Sequence, residues 1–140
     1  MADRPEVRHL ERIWLFAGCS ATDLRRIRKV LTQVSVPAGT LLVEEGQPGL
    51  LFFIVEEGTA TVRRRERRVT TLGPGHFFGE LSLLDDAPRA ASVTSDTDMT
   101  LLVLRQRDFQ KLLRATPTIA RRLLDSLAGR LRESEALVHE

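Results

Sequence analysis

The spacing of apolar residues changes twice along the chain. In residues 8–31 it is helical. Leu24, Ile27, Val30 and Leu31 form one stripe, and Ser20 with Asp23 reads as a capped helix start. Just before it, Ile13-Trp14-Leu15-Phe16 predicts a short helical turn whose large side chains pack a helix onto a sheet. Trp14 is read as core, with base stacking as its alternative. In residues 34–104 the rhythm shortens to β-rich runs punctuated by Gly, Pro and Asp. The predicted strands are Thr40–Glu44, Leu51–Val55, Thr59–Arg63, Arg68–Leu72, Ala91–Val93 and Met99–Leu104. Strands this short and this evenly spaced predict an antiparallel roll, barrel or sandwich. In residues 106–136 helical spacing returns. Phe109, Leu112 and Leu113 mark a short helix, and Thr116-Pro117 reads as a cap followed by proline at the first helical position. Ile119, Leu123, Leu124, Leu127 and Leu131 extend an apolar stripe to about Glu135, with Gly129 as a point of bending or close packing. The fold class is therefore mainly β with flanking helices, in a single domain over residues 1–140.

Composition narrows this picture. The chain has 140 residues, 42% of them hydrophobic, enough for one real core and too apolar for disorder. No apolar run is long enough for a membrane span, and the start, Met1-Ala2-Asp3-Arg4-Pro5-Glu6, carries no apolar signal segment. With that Met1 start and a charged tail, the expectation is a complete small protein. Cys19 is the sole cysteine, which excludes an internal disulfide and a cysteine-rich metal site and fits a reducing cytoplasm. The formal charge of +2 gives no strong bias toward polyanions.

The densest chemistry is in Gly79-Glu80-Leu81-Ser82, followed by Arg89-Ala90-Ala91-Ser92. A guanidinium offers a planar fork of donors to phosphate oxygens. A carboxylate accepts from hydroxyls and repels phosphate, so it belongs at another side of the same ligand. Gly79 permits positive φ or close backbone approach. The backbone N–H groups of Leu81, Ser82 and Leu83, if they open a helical turn, add anion donors. The combination suits a ligand with one anionic phosphate and free hydroxyls.

These runs, Phe78-Gly79-Glu80-Leu81-Ser82-Leu83-Leu84 and Pro88-Arg89-Ala90-Ala91-Ser92-Val93, resemble the phosphate-binding cassette of the cyclic-nucleotide-binding domain family. Val36-Pro37-Ala38-Gly39, Gly46-Gln47-Pro48-Gly49, Phe53-Ile54-Val55-Glu56-Glu57-Gly58 and Arg107-Asp108-Phe109 extend the resemblance over roughly residues 10 to 135. It implies a jelly-roll-like β-roll with an N-terminal helical segment and C-terminal helices. It implies that Arg89 clamps the phosphate of a cyclic nucleotide and that Glu80 accepts the ribose 2'-hydroxyl, an internal Glu80–Arg89 salt bridge being the alternative. Ser82 would donate to the phosphate or cap its own turn. Ala90 and Ala91 would keep the wall close, and Ser92 would touch the ligand or only pair with a strand. The family often has Thr at the position of Ala90 where guanine is favoured, so Ala90 implies cAMP over cGMP. Val62, Leu72 and Val93 are candidate walls for the base. A residue of the last helix usually closes the site, and Leu127, Arg130, Leu131 and Arg132 are the candidates. The ligand is then the only small molecule implied, with no cofactor.

One departure from the family is Leu50, where many relatives have Asp. In Leu50-Leu51-Phe52-Phe53, strand alternation turns one or two side chains outward, which marks either a partner or homodimer patch or a packed bend. Three other classes compete. A catabolite-activator-type transcription regulator needs a DNA-reading module, for which the chain leaves no room after the last helix. The run Arg63-Arg64-Arg65-Glu66-Arg67-Arg68 is read as a solvated hairpin tip rather than a nucleic-acid contact. A metal-dependent roll enzyme needs clustered ligands, whereas His9, His76 and His139 are widely separated. A detached regulatory domain of a channel or kinase would look the same as a stand-alone sensor. The expectation is a non-enzymatic sensor that signals to a protein effector by movement of its last helix.

Overall fold

In the computed structural model, which describes residue 10 and residues 12–139, with backbone alone at 81, 82 and 134–139, strand alternation feeds two cores. Strand β3 (Leu51–Glu57) and strand β8 (Met99–Arg105) pair antiparallel at the centre of one sheet. Phe52, Ile54, Leu102 and Leu104 face one way, into a core shared with the helices. Phe53, Val55, Met99 and Leu101 face the other way, into the interior of the roll. Both faces of β3 are therefore covered, and four consecutive residues, Phe52 to Val55, are buried.

The first sheet has the order β1-β8-β3-β6, where β1 is Thr32–Val36 and β6 is Phe77–Phe78. The second has the order β2-β7-β4-β5, with β2 Leu41–Val43, β7 Ser92–Ser95, β4 Ala60–Arg64 and β5 Arg67–Leu72. All pairings are antiparallel, and the two sheets form the roll with helices packed outside it. The strands β1 and β6 are not among those the sequence pattern predicts. The two-residue β6 is too short to show a period, and β1 alternates polar and apolar residues with little burial.

The helices follow their local signals closely. In α1 (Ala21–Val30) the Ser20 hydroxyl accepts from the Asp23 N–H at 3.1 Å, and the Asp23 carboxylate accepts from the Ser20 N–H at 3.3 Å. This reciprocal cap is the one Ser20 and Asp23 predict. The turn Trp14–Phe16 buries Leu15 and Phe16. Trp14 itself is 45% exposed, with the Arg122 guanidinium 5.3 Å from its ring centre, so it is a surface cation–π partner rather than core. Helix α3 (Gln106–Ala115) buries Phe109 and Leu112, and Phe52 stacks on Phe109 at 4.7 Å. Helix α4 (Pro117–His139) starts where Thr116-Pro117 predicts, but the cap is made by backbone. The Ile119 N–H donates to the Thr116 carbonyl at 3.0 Å, and the buried Thr116 hydroxyl has no partner among the described residues.

The stripe on α4 is only partly used. Ile119 and Leu123 are buried and Leu127 packs against the helix-side core, while Leu124 and Leu131 are 63% and 62% exposed. The helix runs unbroken through Gly129, where an added Cβ would meet nothing within 4 Å, so the glycine makes no close approach. Leu50 and Leu51 are exposed, whereas Phe52 and Phe53 are buried.

Candidate functional site

The site begins where β6 ends. Phe78 stacks on Phe53 at 4.7 Å, and the chain then turns through Gly79 with φ +94° into the short helix α2 (Glu80–Asp85). Gly79 is required twice. Its conformation disfavours any side chain. A Cβ there would also lie 2.7 Å from Arg89 Nη1 and 2.8 Å from the Leu51 carbonyl oxygen, the latter being backbone.

Arg89 fills the space that the glycine leaves. Its Nη1 donates to the Gly79 carbonyl at 3.0 Å, and its Nη2 donates to the Leu51 carbonyl at 2.7 Å. Its backbone is held from both sides, by the Gly46 N–H donating to its carbonyl at 2.9 Å and by its own N–H donating to the Gln47 carbonyl at 2.8 Å. Only 7% of the residue is exposed. Burial pushes the guanidinium below its ordinary value, and the Glu80 carboxylate pulls it back up. An arginine has five N–H donors. The two carbonyls take one each, so the fork is oriented while most of its donors stay available.

Glu80 is 2% exposed. Its Oε1 accepts from Arg130 Nη1 of α4 at 2.5 Å, and the Arg130 guanidinium also lies 5.9 Å from the centre of the Phe77 ring. Among the described residues the carboxylate's ion-pair partner is thus Arg130, not Arg89. One half-exposed arginine from the last helix meets a carboxylate on the floor of the roll.

These groups surround a cavity of about 300 Å³, at the small end of the range for small-molecule sites. Gly79, Glu80, Arg89, Ala90 and Ala91 line it together with Val62, Leu72, Val93 and Arg130, so most of the residues singled out in the sequence converge there. Four of them do not, and of these Leu127 packs against the helix-side core instead. Ser92 uses its hydroxyl to accept from the Glu45 N–H at 2.8 Å, tying β7 to the neighbouring turn. Leu131 and Arg132 are exposed and outside the cavity lining, because α4 turns them away from the roll. The backbones of Leu81 and Ser82 open the first turn of α2, where N–H groups lack intrahelical partners. The side chains of both lie outside the described residues. Phe77, Phe78, Val43, Val69, Thr70 and Arg64 complete the walls. Sequence reasoning did not find them, although alternation from Ala60 through Val62 does point Arg64 inward.

The other clusters stay simple. His76 Nδ1 accepts from the Gly73 N–H at 2.8 Å, a turn-closing role. Arg65 and Glu66, at φ +52° and +66°, form the tip of the β4–β5 hairpin that the arginine run predicts. Among the described residues no group of three or more His, Cys, Asp or Glu could hold a metal ion. No described helix is long and apolar enough to cross a membrane.

A β-roll with a buried arginine and a buried glutamate at one end of an apolar cavity defines a ligand-binding regulatory class. Residues 33–116 match the cyclic nucleotide-binding domain family, and the chain belongs to it. It is 38% identical over 115 residues to a cAMP-dependent protein kinase regulatory subunit from Aspergillus fumigatus, covering 81% of this chain and 28% of that protein. It is 39% identical over 106 residues to a cyclic nucleotide-gated potassium channel from Mesorhizobium japonicum, covering 76% of this chain and 29% of the channel. Among solved structures, the catabolite activator protein of Thermus thermophilus superposes with a TM-score of 0.82 at 32% identity, over 89% of this chain and 61% of that one. The chain spans less than a third of the length of the two curated relatives. The names of these relatives are those of regulators and a channel, and none names a catalytic family.

Proposed function

We propose that the cavity binds a 3',5'-cyclic nucleotide, cAMP in preference to cGMP, and that α4 carries the signal. The observation that supports this most directly is the pair of buried opposite charges, Arg89 and Glu80, in a cavity walled mainly by apolar side chains. A cyclic phosphodiester has one negative charge and needs a desolvated cation beside it. Arg89 offers that cation already oriented by two carbonyls. The Glu80 carboxylate has lone pairs beyond the one given to Arg130 and accepts the ribose 2'-hydroxyl. Val62, Leu72 and Val93 take the sugar and base. Ala90 carries no hydroxyl to meet the guanine edge, which favours adenine. Donation from Ser82 to the phosphate belongs to the same reading.

In this reading Arg130 is the link to output. A ligand hydroxyl arriving at Glu80 meets the atoms that already hold α4, so occupancy alters the helix contact. The domain, one module over residues 1–140, then presents a changed α4 face to a protein effector in the cytoplasm, with no catalysis of its own. Exposed Leu124 and Leu131, or Leu50 and Leu51, are the apolar positions open to such a partner or to a weak homodimer. Calorimetry on the purified chain tests the binding step. Saturable binding of cAMP, tighter than cGMP, is expected. Absence of binding for both nucleotides overturns the reading.

A further inference from the structure

The arginine run is absorbed by the hairpin except at one position. β4 pairs regularly with β7, Val62 opposite Val93 and Arg63 opposite Ser92. Side chains alternate along a strand. Ala60 and Val62 face the roll interior, so Arg64 shares their face, and it lines the cavity. The tip beyond it is fastened by the Arg65 N–H donating to Glu45 Oε1 at 2.9 Å. Arg64 Nε donates to the Ala90 carbonyl at 3.2 Å, one residue from Arg89. This contact leaves its two terminal nitrogens for other acceptors. Among the described residues no carboxylate lies within salt-bridge distance of Arg64.

The charges around the cavity then do not balance. Arg130 is paired with Glu80. Arg89 is answered by a monoanionic phosphodiester. Arg64 remains, at the same end of the cavity as Ala90 and Arg89. We infer that Arg64 is a second phosphate-binding cation, reaching across from the β4 wall to an exocyclic phosphate oxygen while Arg89 holds the phosphate from the floor. This rests on the cyclic-nucleotide reading of the site. It gives the exposed cation a role in affinity and in capture of anionic ligands that Arg63 and Arg68, paired with each other on the other face of the hairpin, do not have.

The test is titration of cAMP and of adenosine, which lacks the phosphate, into wild type, Arg64→Met and Arg64→Lys at low and high salt. Arg64→Met keeps the aliphatic stem. It should bind cAMP about fivefold to tenfold more weakly at low salt, as expected for one partly exposed charge-assisted contact. Its salt dependence should be flatter than wild type, and its affinity for adenosine unchanged. Arg64→Lys should fall between the two. Equal cAMP affinity in wild type and Arg64→Met overturns the inference. So does an equal loss for cAMP and adenosine, which would make Arg64 a wall residue only. If wild type fails to bind cAMP at all, the cyclic-nucleotide reading falls first and the role of Arg64 with it.

Discussion

Arg130 on α4 donates to the Glu80 carboxylate on the roll at 2.5 Å, across a sequence separation of 50 residues. Glu80 is almost wholly buried, whereas the Arg130 side chain is 49% exposed. The two ends of this contact differ in what they lose when it breaks. Arg130 returns to water. Glu80 stays behind as a buried charge. Replacing Arg130 with Met should therefore lower the unfolding free energy by about 1–2 kcal/mol, less than for a fully buried pair because one partner is half in solvent. Glu80→Gln should cost less, since the neutral amide needs no counter-charge. Urea unfolding of both variants measures the difference. A larger loss in Glu80→Gln than in Arg130→Met would contradict the asymmetry.

Arg89→Leu removes the oriented phosphate donor and also strands the Gly79 and Leu51 carbonyls. Two partly buried acceptors lose a donor, so stability should fall by about 1–3 kcal/mol. Affinity for cAMP should fall by about a hundredfold or more. Arg89→Lys should recover part of both effects. Calorimetry at a temperature where circular dichroism shows the variants folded separates the binding loss from the folding loss. Near-wild-type affinity in Arg89→Leu would remove Arg89 from the phosphate site.

Gly79→Ala sets backbone against backbone. The left-handed φ costs about 1 kcal/mol for an alanine, and the new Cβ meets the Leu51 carbonyl oxygen at 2.8 Å and Arg89 Nη1 at 2.7 Å. The total should reach about 2–3 kcal/mol, and Arg89 must shift from its carbonyl fork. Both the thermal midpoint and cAMP affinity should drop together. An alanine variant as stable as wild type would show that the turn relaxes freely, and the preorganisation of Arg89 would then lose its support.

How much of this could be read beforehand depended on whether the determining contacts were local. The reciprocal cap of Ser20 and Asp23, the tip at Arg65 and Glu66 and the restart at Thr116-Pro117 are set within a few residues, and all three fall where the sequence puts them. The cassette's glycine, glutamate and arginine were visible as residue types. Their geometry was not, because the Leu51 carbonyl that orients Arg89 comes from another strand. Arg64 was hidden inside a charged run whose other members are solvated. Its inward direction follows from strand alternation after Ala60 and Val62, a signal that the charge of the run masks. On α4 the apolar spacing continues to Leu131, but the surface beneath the helix ends sooner, and periodicity carries no information about where a neighbour stops.

Glu80→Gln also separates ribose from phosphate recognition. If the carboxylate accepts the 2'-hydroxyl, the amide variant should bind cAMP about fivefold to tenfold more weakly and 2'-deoxy-cAMP nearly as wild type does. Equal losses for both ligands would mean that Glu80 acts through Arg130 and the loop alone.

Helix α4 is expected to be the moving part. The helix is anchored by Ile119, Leu123 and, in part, Leu127. Past those residues, among the described contacts, Arg130 is the side chain that reaches back to the cavity. The distal turns therefore have few apolar contacts, the condition for local opening well below the global unfolding free energy. A ligand that adds contacts at Glu80 and at the Phe77 face should change protection there. Hydrogen exchange over residues 120–133 should slow on cAMP binding in wild type, beyond the protection gained at residues 79–92. In Arg130→Met the cassette should still gain protection while the helix gains little, because the side chain that couples them is gone. Equal helix protection in the variant would assign the coupling to apolar packing under Leu127 instead. Protection confined to residues 79–92 in wild type would leave the domain a binding module whose last helix takes no part in signalling.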